Sequence, residues 1–314
     1  MTRQNRLRRS ELSTPGMSAK MIAKAAQSDA DLVFLDLEDA VAPGAKKAAR
    51  ATVAAGLAEL DWGNKTRACR INGVHTQWCL DDVIEIVTTA RANLDVIIVP
   101  KVKSVRDVWF VDGLLSQLEL KLGLEVGGIG LELLIEETEA LARVEDIAAC
   151  SPRVEALILG FGDMSASQGI RTATDGGASN PNDVAGLYPG DMWHYARNRV
   201  VVAARASRVD AIDGPYAGIN NPEGYRREAS WSATLGGVGK WCIHPSQIAI
   251  ANEVYAPTTV EIENAQRIVD AVRQAEADGL GAANLEGVLI DAATTRNYEL
   301  LLERARLCGN GAVK

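Results

Sequence analysis

LELLIEETEALARVEDIAACSPRVEALILGFGD, residues 131–163, reads as one complete strand–helix–strand unit. The runs Leu131–Ile135 and Ala156–Leu159 are short, continuous and apolar, the pattern of parallel strands buried on both faces. Between them, Thr138–Ala149 carries helical periodicity. Working outward, the alternation recurs along the chain. Strand-like runs fall at Leu32–Leu35, Thr66–Ile71, Val96–Val99, Val209–Ile212 and Val238–Ile243, with a first strand expected at Leu7–Ser13. Helical segments lie at Ser18–Ser28, Ala45–Leu60, Leu80–Ala90, Val105–Leu122, Met192–Ala206, Pro222–Leu235 and Pro245–Glu253. This order predicts an α/β fold, a TIM (β/α)8 barrel over residues 1–255, close to the ~250 residues typical of that architecture. A doubly wound sheet is the alternative. It is disfavoured because no GxGxxG opens a helix after the first strand, and Gly128-Ile-Gly130 precedes a strand instead.

Residues 256–314 follow another pattern. Val260–Ala277 reads as a charged helix, Asp278–Ala283 as a hinge-like stretch, Leu285–Ile290 as a small hairpin and Asp291–Leu307 as a second helix. So short a segment holds little core of its own. It is expected to pack on the barrel or on a neighbouring subunit.

Composition narrows the function. The 314 residues carry 33 Lys and Arg against 41 Asp and Glu, a net charge of −8, and 47% are hydrophobic. These globular values exclude disorder as the main state. The acidity argues against nucleic acid or an anionic membrane as partner, and aromatics at 5% disfavour a base-stacking surface. No apolar run approaches the ~20 residues that span a bilayer. Arg3, Arg6, Arg8 and Arg9 are not followed by an apolar stretch, so no secretory signal is read there. Five scattered cysteines without a CxxC suit free thiols in a reducing cytoplasm, and three histidines make a His-rich zinc site an unpromising reading.

In a parallel barrel the chemistry sits where strands end. Here the strand ends deliver Asp36-Leu-Glu38-Asp39, Arg70-Ile-Asn72, Pro100-Lys101, Glu136-Glu137, Gly160-Phe-Gly-Asp163, Asp213-Gly-Pro215 and His244-Pro-Ser246. Glu136 and Asp163 follow adjacent apolar runs directly. Two carboxylates suit Mg2+ with positions left for water and substrate, although acids in first turns also serve as plain helix caps. Arg70 offers a planar fork for a carboxylate or an enolate oxygen, or a salt bridge to Glu38 or Asp39. Lys46 and Arg50, at i and i+4, read as a solvated helix face. His244 reads as a satisfied buried imidazole, and Trp62, Trp78, Trp109, Trp193, Trp231 and Trp241 as packing anchors. The loop Thr172–Asp191, rich in Gly, Asn, Asp and Pro, is long enough to be functional.

Taken in order, RSELSTPG (9–16), FLDLEDAVAP (34–43), RING (70–73), VPK (99–101), LLIEE (133–137), LGFGD (159–163), IDGP (212–215) and GKWCIHPSQI (239–248) resemble the citrate lyase β-subunit-like, or HpcH/HpaI aldolase, superfamily. ELDWGNKTRACRING (59–73), LDVIIVPKV (94–102) and GKWCIHPSQIAIANEVYAP (239–257) are similar to its malyl-CoA and β-methylmalyl-CoA lyase branch. The resemblance spans nearly the whole chain. It implies a Mg2+ or Mn2+ cofactor and reversible carbon–carbon cleavage of a 3-hydroxyacyl-CoA, with acyl-CoA and glyoxylate as partners. Under it Glu136 and Asp163 are the metal ligands, and Arg70 binds substrate. Pro15, Gly16 and Lys24 contact coenzyme A. From their strand end rather than from the resemblance, Glu38 and Asp39 read as catalytic candidates, one to position substrate or a metal-bound water and the other to orient Arg70 or Lys101. Asp291 becomes a lid aspartate that reaches a neighbouring subunit's site in a homotrimer or homohexamer, although its local sequence reads as a helix cap. Citramalyl-CoA lyase, malyl-CoA thioesterase, a coenzyme-A-free aldolase and a non-catalytic lyase-complex subunit are the competing readings. Three departures bear on acyl specificity: Glu137 where that branch reads Thr, an apparently shortened 172–191 loop, and Tyr216 in place of Phe.

Overall fold

The computed structural model describes residues 5–170, 191–285 and 288–309. Two compact units make up the chain, one ending at Asn252 and the other beginning at Glu253. In the first, eight strands close a parallel barrel in sequence order: β1 Ser10–Pro15, β2 Leu32–Asp36, β3 Thr66–Arg70, β4 Val96–Val99, β5 Gly130–Ile135, β6 Val154–Leu159, β7 Asp210–Asp213 and β8 Gly239–Cys242. Closure is made by Ser10, Glu11 and Leu12 of β1 against Lys240, Trp241 and Cys242 of β8. The barrel therefore has no free edge.

Helices α1 Ala19–Ala26, α2 Lys46–Glu59, α3 Cys79–Ala90, α4 Val105–Leu122, α5 Thr138–Leu141, α6 Val144–Ala149, α7 Phe161–Gln168, α8 His194–Ala206, α9 Pro222–Leu235 and α10 Ile248–Val254 alternate with the strands. Their ends follow local chemistry. Ser104 and Asp107 form a capping box on α4, which stops at Gly123 in the left-handed region at φ +68°. Asn221 caps α9 by accepting from the Gly224 N–H, with Pro222 at its first position.

Three expectations are corrected. The first strand begins at Ser10, because pairing with β2 and β8 starts there and Leu7 precedes it. Thr138–Ala149 is two helices, broken at Ala142–Arg143. The periodicity hid the break because Ala140, Leu141, Val144 and Ile147 stay buried across it. Gly160–Asp163 is not only a strand end: it opens α7.

Inside the barrel, Leu32, Phe34, Ala68, Ile98, Leu134, Ile158, Ile212 and Trp241 form one apolar cluster. Below them the interior turns polar. Arg8 is buried and ion-paired to Glu132 at 2.7 Å, to Glu155, and to Asp210 at 3.2 Å. Outside the barrel wall, Lys240 bonds Asp213 and Glu228, each at 2.7 Å, while Arg197 reaches Asp213 and Asp191.

The second unit holds α11 Thr259–Ala277, an antiparallel pair β9 Ala282–Leu285 and β10 Val288–Asp291, and α12 Ala292–Leu307. Ile262, Ala265, Val269, Leu302 and Ala305 join its two helices, and Ile268, Val272, Ala283 and Ile290 seat the strand pair on α11.

Glu11 yields a test of the interior. Its Oε2 accepts the Trp241 indole N–H at 2.9 Å, and its Oε1 has no donor. Burial, and then the Glu132 carboxylate, push the Glu11 carboxyl well above its ordinary value of 4.5. The folded chain thus binds more protons than the unfolded one, and this group's contribution to stability is lost as pH rises above 4.5. Glutamine does not titrate. Glu11→Gln should therefore be more stable than the parent, by a margin that widens from about pH 5 to about pH 8 in urea unfolding. A margin that narrows with pH would contradict this.

Candidate active site

The C-terminal ends of β2 to β6 bring five acids and two cations to one mouth. Asp36, the last residue of β2, lies level with Arg70, the last residue of β3. Both are buried and form a two-pronged pair, Nε to Oδ1 and Nη2 to Oδ2, each at 2.7 Å. The same carboxylate accepts the backbone N–H groups of Glu38 at 2.8 Å and Ala40 at 3.1 Å. Burial alone would raise the Asp36 carboxyl, but the Arg70 guanidinium holds it below the usual carboxylate value.

The loop so shaped presents Glu38 and Asp39. Glu38 is buried, with Oε2 2.9 Å from Arg70 Nη1 and Oε1 accepting from Lys101 Nζ at 2.6 Å. Burial raises its carboxyl despite the two cations. Asp39 is exposed, 3.3 Å from Lys101 Nζ and 3.6 Å from Arg70 Nη1. Of the two readings of Arg70, the salt bridge to Glu38 and Asp39 is present at Nη1, and Asp36, not foreseen, takes the Nε–Nη2 fork.

Lys101, read among the strand-end residues but given no catalytic or metal role, is the hub. It has φ +51°, a left-handed conformation that is strained for a side chain with a Cβ. That turn aims its N–H at Glu136 Oε1, 2.8 Å away, while its Nζ faces Glu38, Asp39 and, at 3.9 Å, Asp163. Its advance signals are its place directly after a buried strand and Pro100, and its position closing the VPK motif at 99–101.

Glu136 follows β5 and is almost fully buried. Burial first, then the charges of Glu38 and Asp163, raise its carboxyl to about 9. Asp163 sits in the first turn of α7, with its side chain 43% exposed. Neither is a helix cap: the capping positions are Glu137 and Gly160, without a side-chain capping bond at either. A Cβ on Gly160 would come within 2.7 Å of both Cβ and Oε2 of Glu136, so the glycine leaves the space that carboxylate occupies. An all-oxygen donor set, an acid burdened by like charges and a solvent-open neighbour fit a hard divalent cation. Among the described residues no group of three His, Cys, Asp or Glu is assembled for a metal, so Glu136 and Asp163 would leave the remaining positions to water and substrate.

Other candidates lie elsewhere. Asp213 turns outward to Lys240 and Arg197, and Asn72 bonds Asp82 at 2.6 Å. His244 is exposed rather than buried and caps the turn after it, accepting from the Ser246 N–H. Lys46 and Arg50 are buried, not solvated: Lys46 Nζ donates to the carbonyls of Leu37 and Glu38, at 2.8 and 2.7 Å, and Arg50 pairs with Asp82 at 2.9 Å. Trp109 and Trp231 are exposed rather than anchors in the core. Gly16 packs against β2, its N–H donating to the Asp36 carbonyl at 2.9 Å, and a Cβ there would meet that oxygen at 2.6 Å. Pro15 ends β1, and Lys24 is exposed in the last turn of α1. Asp291 ends β10 in the second unit and is exposed. Of the loop 172–191, all but Asp191 lies outside the described residues. Tyr216 is buried with its hydroxyl 3.0 Å from Asn221, and Glu137 faces Lys103 at 3.8 Å.

An eight-stranded parallel barrel whose mouth pairs a fixed guanidinium with a carboxylate cluster defines the class, an α/β barrel with an acidic strand-end site. The chain belongs to the HpcH/HpaI aldolase/citrate lyase family, which matches residues 9–245. It is 40% identical over 305 residues to an L-malyl-CoA/β-methylmalyl-CoA lyase of Rhodobacter capsulatus, covering 96% of each chain. It is 32% identical to a malyl-CoA/β-methylmalyl-CoA/citramalyl-CoA lyase of Chloroflexus aurantiacus, over 88% of this chain and 81% of the other. Among solved structures, CitE of Mycobacterium tuberculosis in complex with magnesium, acetoacetate and coenzyme A is similar at TM-score 0.73 and 27% identity, over 95% of this chain and 97% of that one.

Gly160 provides a test of the carboxylate cradle. Gly160→Ala should fold, because φ −94° suits any residue, yet displace Glu136. Affinity for Mn2+, read by electron paramagnetic resonance, should fall about tenfold or more, the size of a lost supporting contact at a metal site. Unchanged affinity would show that the cradle is not needed.

Proposed function

We propose that this chain is a divalent-metal-dependent carbon–carbon lyase that interconverts L-malyl-CoA with acetyl-CoA and glyoxylate. The β-methyl homologue, giving propionyl-CoA and glyoxylate, is the second substrate. The observation that carries the reading is the buried Glu136 carboxylate, set between Asp163 and the Arg70–Lys101 cations in its Gly160 cradle. The substrate class is supported by the names of the relatives at 40% and 32% identity.

Glu136 and Asp163 would hold Mg2+ or Mn2+. Bound there, the ion supplies Lewis-acid polarisation and orientation to the glyoxylate carbonyl. In the condensation direction, Asp291 takes a proton from the thioester methyl group. Arg70 N–H donors stabilise the resulting enolate oxygen, a charge that develops next to a preorganised cation. The enolate carbon attacks the aldehyde carbon, the carbonyl electron pair passes to oxygen, and that oxygen takes a proton from solvent. Cleavage runs the same steps backwards, with Asp291 returning the proton to carbon. Glu38 and Asp39 keep Arg70 and Lys101 in place. Coenzyme A would lie along the β1 end at Pro15 and Gly16, with Lys24 as a cation for its phosphates. Residues 256–314 would serve as the lid, and Asp291 would enter a neighbouring subunit's site in a trimer or hexamer, in the cytoplasm. Citramalyl-CoA is a second substrate reading, favoured by the three-substrate name of the Chloroflexus relative.

Glyoxylate release from malyl-CoA, followed by phenylhydrazone formation, tests the reaction. Release should require Mg2+, stop with EDTA, and fall about a hundredfold or more in Glu136→Gln. Metal-independent release would sink the proposal. Delivery in trans is tested by mixing Asp291→Ala with Glu136→Ala. Hybrid oligomers should recover activity that neither parent has, and no recovery in demonstrated hybrids would remove the lid role.

A further inference from the structure

The Arg70 guanidinium is held at its edges, by Asp36 along Nε and Nη2 and by Glu38 at Nη1, and edge contacts leave its plane free to tilt. A contact on its face fixes it. The Arg70 guanidinium carbon lies over the indole ring of Trp241, 5.4 Å from its centroid. Trp241 is itself constrained on two sides. Phe34 packs against it at 4.5 Å between centroids, and Glu11 accepts its Nε1–H at 2.9 Å. Trp241 is buried on β8, across the barrel from Arg70 on β3. None of these three residues lies at a strand end.

We propose that Trp241 is a positioning residue for Arg70, its anchored ring face fixing the plane of the guanidinium that would meet the enolate oxygen. A cation over an indole in a desolvated site is a sizeable attraction, and it is directional. Glu11 and Phe34 set the ring, the ring sets the plane, and Asp36 sets the edge. Nη1, which Asp36 does not engage, is thereby aimed along the rim toward Glu38 and Asp39. The inference rests on the role given to Arg70 above.

The test compares ring-preserving with ring-removing variants in malyl-CoA cleavage with Mg2+, with thermal melting to show folding. Trp241→Phe keeps an aromatic face and should hold kcat within about threefold of the parent. Trp241→Met, of similar flexible bulk but without the face, should lower kcat about thirtyfold with KM little changed. In an Arg70→Lys background, which lacks the planar fork, Trp241→Met should cost no more than about threefold further. Equal losses in the Phe and Met variants, or the full thirtyfold loss repeated in the Arg70→Lys background, would overturn the proposal. Glu11 supplies a second probe should Trp241→Met not fold. Glu11→Gln keeps an acceptor for the indole and should retain kcat, whereas Glu11→Leu, which like Trp241→Phe keeps an aromatic face but loses the indole bond, should lower kcat about threefold; equal activity in the two would count against the anchor. Wild-type turnover in Arg70→Lys alone would instead overturn the reading of Arg70.

Discussion

The site is assembled around the two-pronged contact between Asp36 and Arg70. Two charges taken out of water add little net stability even when well paired, yet removing one partner strands the other at a cost of about 3–5 kcal/mol. The contact is thus better understood through what it organises. Asp36 spends its remaining acceptor capacity on the N–H groups of Glu38 and Ala40, and so fixes the loop that follows β2. Its backbone carbonyl takes the Gly16 N–H and ties the β1 loop to the same point. Glu38, placed by that loop, holds Lys101, and Lys101 through its left-handed backbone holds Glu136. A chain of single contacts therefore runs from β1 to β5, and each member depends on the one before.

Acids outnumber cations in more than one part of the barrel, but the excess is resolved differently. Below the apolar layer, Glu11, Glu132, Glu155 and Asp210 gather around Arg8, and Glu11 is fully enclosed. An enclosed acid beside another acid sheds its charge by keeping a proton, which is the direction of its shift. At the mouth, Asp39 and Asp163 remain open to solvent. There, in the reading proposed above, an ion would enter and Glu136 would exchange a proton for it. Access, more than charge count, separates a structural cluster from a chemical one.

The same distinction explains what the amino-acid sequence disclosed. Val96–Val99, Val105–Leu122 and Pro222–Leu235 match their elements end to end because each has clear boundaries: a continuous apolar run closed by Pro100, a helix between Ser104 and Gly123, and a helix between Asn221 and Gly236. Glu136 and Asp163 were visible because polar residues directly after apolar runs land at the barrel mouth. Asp36 was read with its loop and not as Arg70's partner, because a pair 34 residues apart in sequence is made only by strand register. Lys46 and Arg50 were misread for a related reason. Their helix is alanine-rich, so its two faces differ little in polarity, and only tertiary contacts show that both cations point inward. Trp241 is a buried tryptophan in any linear reading; its neighbour Arg70 comes from the far side of the barrel.

The second unit carries a different kind of information. A two-stranded sheet is marginal by itself, and here α11 supports it through Ile268, Val272, Ala283 and Ile290. Alternation along β10 then puts Ile290 inward and Leu289 and Asp291 outward, and both of the latter are exposed. A single exposed leucine, here Leu289 at 73%, is ordinary on a protein surface and does not by itself mark an interface. In the lid reading proposed above, this face would lie against another surface, where the leucine would be covered and the carboxylate would lose solvent. Desolvation would raise the proton affinity of that carboxylate, and an acid that must take a proton from carbon gains most from such a change. What β10 contributes to the proposed lid role is thus the outward placement of Asp291, whose proton affinity would rise only where another surface takes it out of water.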